Sequence, residues 1–326
     1  MSGSLSLPRV LADTPLPSPV SEMLGGKVFL VPWQGVKSAT KSHVEGIYTY
    51  GHPRVDGPLL ASLEGVRVIS NHGVGVDHID IEEATHRKIP VGNTPGVLDG
   101  ATADMAFTLV LAAARRIIEG DQFARGASFT HYDPSLLIGL EVHGKTIGII
   151  GMGRIGLQVA MRATGFGMEI LYHNRRIRND LPTGLRAEYT SLFELLGRSD
   201  FVVVCVPLEK DTHRLIDAKC LSQMKSSAIL INVARGGVID TDALTEALDN
   251  RIIHAAALDV TDPEPLPRDH PLLKSSHVII SPHLGSATKQ TRLAMAELSV
   301  ANLMLGLEGK PLIHQVNQCS SSLGTV

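Results

Sequence analysis

The stretch Gly151-Met-Gly153-Arg-Ile-Gly156 constrains the fold of this chain more than any other, because of what flanks it. The apolar run Thr146-Ile-Gly-Ile-Ile150 precedes it, and a helical pattern over residues 157–164 follows. Gly151 permits a tight reversal, Gly153 lets the backbone approach a pyrophosphate, and Gly156 lets the helix pack closely on the strand, with the helix N–H groups facing the anion. Alone, three glycines fit an ordinary turn. The strand before them and the helix after them make the turn a dinucleotide site.

The rest of the chain repeats the same alternation. Short β-branched runs at 9–12, 27–31, 46–50 and 66–70 are separated by helical segments such as 18–24 and 58–63. That pattern predicts a parallel sheet with crossover helices. Apolar residues at helical spacing predict one long helix over 98–118, with Asp99 or Thr102 as its cap. A second series of buried strands is expected at 146–150, 169–172, 201–206, 229–233, 255–259 and 278–281, enough for a complete doubly wound sheet. The helical pattern at 289–307 is long enough to return to the first series, so the first domain is read as interrupted.

Composition excludes several function classes. With 30 Lys+Arg against 33 Asp+Glu, the net charge of −3 gives no electrostatic basis for binding nucleic acid or a membrane surface. Cys205, Cys220 and Cys319 are too few and too scattered for a disulfide framework or a zinc site. Cys205 lies inside an apolar run and reads as core, and His78, His213 and His254 have no acidic partner at recognisable spacing. No metal ligands are suggested. Met1-Ser-Gly-Ser-Leu-Ser lacks a leader pattern, Gly324-Thr325-Val326 is not a peroxisomal address, and no apolar stretch is long enough to span a bilayer. The expected location is the cytoplasm.

The end of the strand at 169–172 decides between the two nicotinamide cofactors. An acidic residue there bonds a ribose 2′-hydroxyl, and an arginine accommodates a 2′-phosphate. The chain reads His173-Asn174-Arg175-Arg176, with no carboxylate. Arg175 can offer a planar fork to a phosphate, so NADP(H) is favoured over NAD(H), with a solvated basic loop as the plainer reading.

Three later strand ends carry Arg235, Glu264 and His283. Reduction of a 2-keto acid needs a cation for the carboxylate and carbonyl, an acid to protonate the new alkoxide, and a partner that keeps this acid protonated. Arg235 stays charged, His283 donates near neutral pH, and a carboxylate on its other ring nitrogen favours the protonated form. Taken singly, each residue also fits a salt bridge, a solvated loop or a helix cap.

With these residues in view, the sequence resembles the D-2-hydroxyacid dehydrogenase family, in its glyoxylate/hydroxypyruvate reductase branch, from about Val66 to Leu312. Besides the glycine turn, Ile231-Asn-Val-Ala-Arg-Gly-Gly237, Leu258-Asp-Val-Thr-Asp-Pro-Glu-Pro-Leu-Pro267 and Pro282-His-Leu-Gly-Ser-Ala-Thr288 follow the family pattern in order and spacing. The resemblance implies a Rossmann-type doubly wound α/β sheet over 99–287, inserted into a flavodoxin-like α/β substrate domain formed by 1–98 and 288–326. It implies catalytic roles for Arg235, Glu264 and His283, and places the substrate carboxylate on Val74 and Gly75 in Gly73-Val-Gly-Val-Asp-His78, with Arg235, His283 and Ser286 beside it. Cofactor positions fall on Thr102, Gly151, Gly153, Arg154, Ile155, Gly156, Asn174, Arg175, Arg176, Pro207, Thr212, Ala234, Asp259, His283 and Gly285. A homodimer is also implied.

One segment departs from the family. Animal hydroxypyruvate reductases carry tryptophans before the glycine turn, one of which reaches the partner subunit's site. Here that stretch is Phe129-Thr-His-Tyr-Asp-Pro134, and the only tryptophan is Trp33. The smaller aromatics imply a wider or more polar substrate end, which admits a keto-sugar acid such as 2-ketogluconate as the alternative to hydroxypyruvate and glyoxylate. The C-terminal binding protein corepressors share the fold and the catalytic constellation, so a dinucleotide-sensing binding protein is the alternative of a different class.

Overall fold

The computed structural model describes residues 6–13, 15–35 and 42–319. The chain separates into two compact units, one made of the described residues up to Leu98 with those from Thr288 onward, the other Asp99–Ala287. The expectations placed on Met1-Ser-Gly-Ser-Leu and on Gly324-Thr325-Val326 lie outside the described residues.

The first unit is built on a parallel sheet of β1 (Arg9–Ala12), β2 (Phe29–Pro32), β3 (Gly46–Thr49), β4 (Val68–Asn71) and β5 (Val91–Gly92), in the order β2-β1-β3-β4-β5. Val10, Leu11, Ala12, Ile47, Tyr48, Val68 and Ile69 are fully buried because helices cover both faces. Burial of each Val, Leu or Ile side chain among them contributes about 1.5–3 kcal/mol. On one face the helix Lys289–Leu307 lies very close: a Cβ on Gly306 would stand 2.4 Å from Val68 Cγ2. Strand β5 is absent from the sequence reading, since two residues ending in glycine leave no periodicity to detect.

The second unit carries β6 (Thr146–Ile150), β7 (Glu169–His173), β8 (Glu188–Tyr189), β9 (Phe201–Val204), β10 (Ile229–Asn232), β11 (Ala255–Leu258) and β12 (Val278–Ile280). They form one parallel sheet in the order β8-β7-β6-β9-β10-β11-β12. The order reverses between β6 and β9, and ligands of open α/β sheets bind at such a switch point. The expected six strands are therefore seven. The additional one, β8, is an exposed edge pair with no apolar run to announce it.

The long helix expected over 98–118 is also corrected. It runs from Asp99 to Ala114, and a separate helix follows from Ile117 to Arg125 after Arg116, which is left-handed at φ 51°. The chain returning at Leu140 donates its N–H to the Ala114 carbonyl at 2.7 Å, which satisfies one of the acceptors left open where the helix ends. No helix among the described residues is long and apolar enough to cross a membrane.

Candidate active site

The glycine-rich turn begins where β6 ends. Gly151 has φ 100°, and a Cβ there would lie 2.8 Å from the Cys205 carbonyl carbon and from Val206 Cγ1, so the chain just past β9 closes the space to any side chain. At Gly156 a Cβ would fall 2.1 Å from the Gly151 carbonyl oxygen. Gly153 differs: it caps the helix Arg154–Gly165, and nothing stands within 4 Å of where its Cβ would be. Two glycines are thus fixed by packing, and the third leaves open space at a helix N-terminus, as a pyrophosphate requires. The helix begins at Arg154, earlier than the apolar pattern at 157 indicates, so its first N–H groups belong to the turn.

Two side chains hold this turn. Asn174 Oδ1 accepts from the Met152 N–H at 2.6 Å. Arg178 Nη1 donates to the carbonyls of Met152 and Gly153, each at 3.0 Å, while its Nε donates to Asp180 Oδ1 at 2.7 Å. Arg178 escaped the sequence reading. Its only signal in the sequence is a third arginine just after Arg175-Arg176.

Arg175 and Arg176 are exposed on the loop after β7. Arg175 Nη1 lies 3.2 Å from Glu209 Oε2, a carboxylate arriving from the loop after β9 and also missed from sequence. An ion pair this exposed is worth about 0–1 kcal/mol, so the guanidinium is readily surrendered to a stronger anion. In the same loop Thr212 Oγ1 donates to the Pro207 carbonyl at 2.6 Å and accepts from the Glu209 N–H at 2.7 Å, which brings Pro207 and Thr212 together. Arg154 pairs with Asp99 at 2.8 Å, its own side chain largely in solvent, and Ile155 packs partly buried against the core.

Beyond the switch point, Asn232 at the end of β10 shapes the turn that carries Arg235. Its Nδ2 donates to the Arg235 carbonyl at 2.9 Å and its Oδ1 accepts from the Ala234 N–H at 3.0 Å. Arg235 is half-buried, and its Nη1 donates to the Ala234 carbonyl at 2.8 Å.

Asp259, just past β11, is buried and accepts three hydrogen bonds from the turn after β12. Ser281 Oγ and the Leu284 N–H reach Oδ1 at 2.6 and 2.8 Å, and the Gly285 N–H reaches Oδ2 at 2.7 Å. The His283 N–H donates to the Asp259 carbonyl at 2.8 Å, in a residue held left-handed at φ 56°. A Cβ on Gly285 would touch Thr102 Cγ2 at 3.3 Å, so Thr102, Asp259 and Gly285 share one spot. Ser286 follows, half-buried.

From this turn His283 Nδ1 reaches Glu264 Oε1 at 2.8 Å. Burial by itself pushes the Glu264 carboxyl up, but the His283 hydrogen bond and charge, the Thr261 N–H and the Arg235 guanidinium together bring it below its usual range. Glu264 is therefore ionised near neutral pH, and the pair engages the Nδ1 side of the ring. Proton exchange with another molecule falls to Nε2. Val74 and Gly75 belong to the first unit, in the loop that follows β4, and both are half-buried. Among the described residues no cluster of acidic, histidine and cysteine side chains could hold a metal.

A family model described as D-isomer specific 2-hydroxyacid dehydrogenase, NAD binding domain, matches residues 107–285. A glyoxylate reductase of Thermococcus gammatolerans is 46% identical over 271 residues, covering 82% of this chain and 81% of the relative. One from Pyrococcus horikoshii is 41% identical over 314 residues, covering 93% and 94%. Among solved structures, an NADPH-dependent glyoxylate/hydroxypyruvate reductase from Sinorhizobium meliloti, in complex with NADP and malonate, superposes with a TM-score of 0.88 at 33% identity, over 96% of this chain and 98% of that one.

Proposed function

This chain belongs to the D-isomer specific 2-hydroxyacid dehydrogenase family, and we propose that it reduces glyoxylate and hydroxypyruvate to 2-hydroxy acids with NADPH as the preferred cofactor. The observation that carries this reading is the His283–Glu264 pair at 2.8 Å, on the same sheet edge as the strand-end Arg235.

When bound, the reduced nicotinamide cofactor supplies a hydride. The Gly153 backbone and the N–H groups of Arg154 and Ile155 would hold its pyrophosphate, in a turn whose shape Gly151 and Gly156 allow, and Asn174, Arg175 and Arg176 would take the 2′-phosphate. Pro207, Thr212 and Ala234 would contact the cofactor between its two ends, and Thr102, Asp259, His283 and Gly285 would hold its nicotinamide. Arg235 draws electron density toward the keto oxygen and balances the carboxylate. As the carbonyl carbon gains the hydride, its oxygen takes a proton from His283 Nε2. The ionised Glu264 stabilises the imidazolium that gives up this proton and keeps the ring oriented. Val74 and Gly75 offer backbone N–H groups to the substrate carboxylate, and Ser286 contributes a hydroxyl.

The preference for NADPH is supported by Arg175, whose partner Glu209 forms only an exposed pair. A homodimer is supported by the helix Ile117–Arg125, which buries no residue of its own, and by Ile118, Phe129, Tyr132 and Ile138, which are exposed in and after it. We place the enzyme in the cytoplasm. The test is oxidation of NADPH and NADH against glyoxylate, hydroxypyruvate, 2-ketogluconate and pyruvate. Fast NADPH turnover on the first two is expected. If 2-ketogluconate is the best substrate, the keto-sugar reading replaces this one, and cofactor binding without turnover replaces it with a sensor.

A further inference from the structure

The loop after β4 owes its shape to one buried amide. Asn71 is 1% exposed, pairs in register with Thr49 across β3 and β4, and accepts from Thr49 Oγ1 at 2.8 Å through Oδ1. Its Nδ2 donates to the carbonyls of Gly73 and Gly75, both at 2.9 Å. Two carbonyls on one side and a hydroxyl on the other leave a single orientation of the amide that satisfies every group. The carbonyl between them, that of Val74, accepts from Asn93 Nδ2 at 2.9 Å, and the Gly73 carbonyl accepts also from the Thr94 N–H at 3.2 Å.

Three successive carbonyls are thus tied to the body of the unit. Among the described residues no acceptor meets the N–H groups of Val74 or Gly75. Two successive backbone N–H groups that no acceptor inside the protein meets, on a loop whose carbonyls are held elsewhere, are donors left for a bound anion. We infer that Asn71, seconded by Asn93, is the positioning residue that aims the Val74 and Gly75 N–H groups at the carboxylate of the keto acid. This rests on the reading that these two residues hold that carboxylate. Asn71 does not touch the substrate; it acts by denying the loop any other orientation.

A residue that only orients the carboxylate contributes equally to ground-state and transition-state binding, so its loss raises KM and spares kcat. In Asn71→Ala the KM for glyoxylate should rise about tenfold, with kcat changed by less than about threefold and the KM for NADPH unchanged. Inhibition by oxamate, an unreactive keto-acid mimic, should weaken by the same factor. Asn71→Asp keeps the acceptor for Thr49 but loses both donors, and should behave at least as badly. Should Asn71→Ala fail to fold, Asn93→Ala, at a half-buried position, decides, with a rise of about threefold in the same two quantities.

Unchanged glyoxylate KM and oxamate inhibition in the folded variants would overturn the inference, as would a fall in kcat without a rise in KM. A loss of thermal stability alone, with both constants intact, would reduce Asn71 to a structural role. If the wild-type protein turns over no keto acid, the proposed function fails first, and oxamate binding by calorimetry still tests Asn71. Absence of oxamate binding in the wild type overturns the carboxylate reading and this inference with it.

Discussion

His283 Nδ1 and Glu264 Oε1 stand 2.8 Å apart, and the two residues arrive there from different strand ends, Glu264 after β11 and His283 after β12. The contact survives because Asp259 accepts three hydrogen bonds from the turn that carries His283 and fixes its backbone. Glu264→Gln keeps the shape and removes the charge that the proposed mechanism uses to support a His283 imidazolium. Turnover should fall by about a hundredfold or more while NADPH still binds; steady-state kinetics with fluorescence titration of the cofactor checks this.

The proposed 2′-phosphate site at Arg175 offers a paired test. Arg175→Ala should raise the KM for NADPH by about tenfold or more and leave that for NADH nearly unchanged. Glu209→Gln, which frees Arg175 from its carboxylate, should shift the ratio of kcat/KM values further toward NADPH. Equal effects on the two cofactors would place the phosphate elsewhere.

Arg178 ties the Met152 and Gly153 carbonyls to the loop after β7. Arg178→Met keeps much of the apolar stem but loses both donors, and should raise KM for NADPH and NADH alike by about fivefold to tenfold. A selective loss of NADPH would instead make it a direct phosphate ligand.

His72 predicts how stability depends on pH. Burial, seconded by the nearby Arg292 charge, lowers its pKa from 6.5 to about 4, while its Nδ1 lies 3.1 Å from the Tyr48 hydroxyl. Between those two values the unfolded chain binds a proton that the folded chain refuses. This contribution is present above the unfolded value and is lost as pH falls toward the folded one, at most about 3 kcal/mol. Urea midpoints should decline from about pH 6.5 to about pH 4.5, and His72→Asn should flatten that decline.

Much of this was legible in the sequence where a physical requirement is local. The glycine turn announced itself because strand, turn and helix are contiguous, and the strand ends carrying Arg235, Glu264 and His283 followed from buried apolar runs. What stayed hidden depends on partners distant in sequence. Glu209 meets Arg175 only after β9 is laid on the other side of β6 from β7. Asn71 becomes a clamp only when β3 sets Thr49 beside it. The break at Arg116 has no glycine or proline to mark it, and the Ala114 carbonyl beside it finds its partner only in Leu140, far along the chain.

The central claim, that His283 gives the proton to a reduced keto acid, is tested most directly by His283→Ala under saturating NADPH and glyoxylate, with cofactor binding measured on the same preparation. The account predicts turnover lower by at least about a thousandfold with NADPH affinity essentially that of the wild type. Near-normal turnover with intact cofactor binding would contradict it.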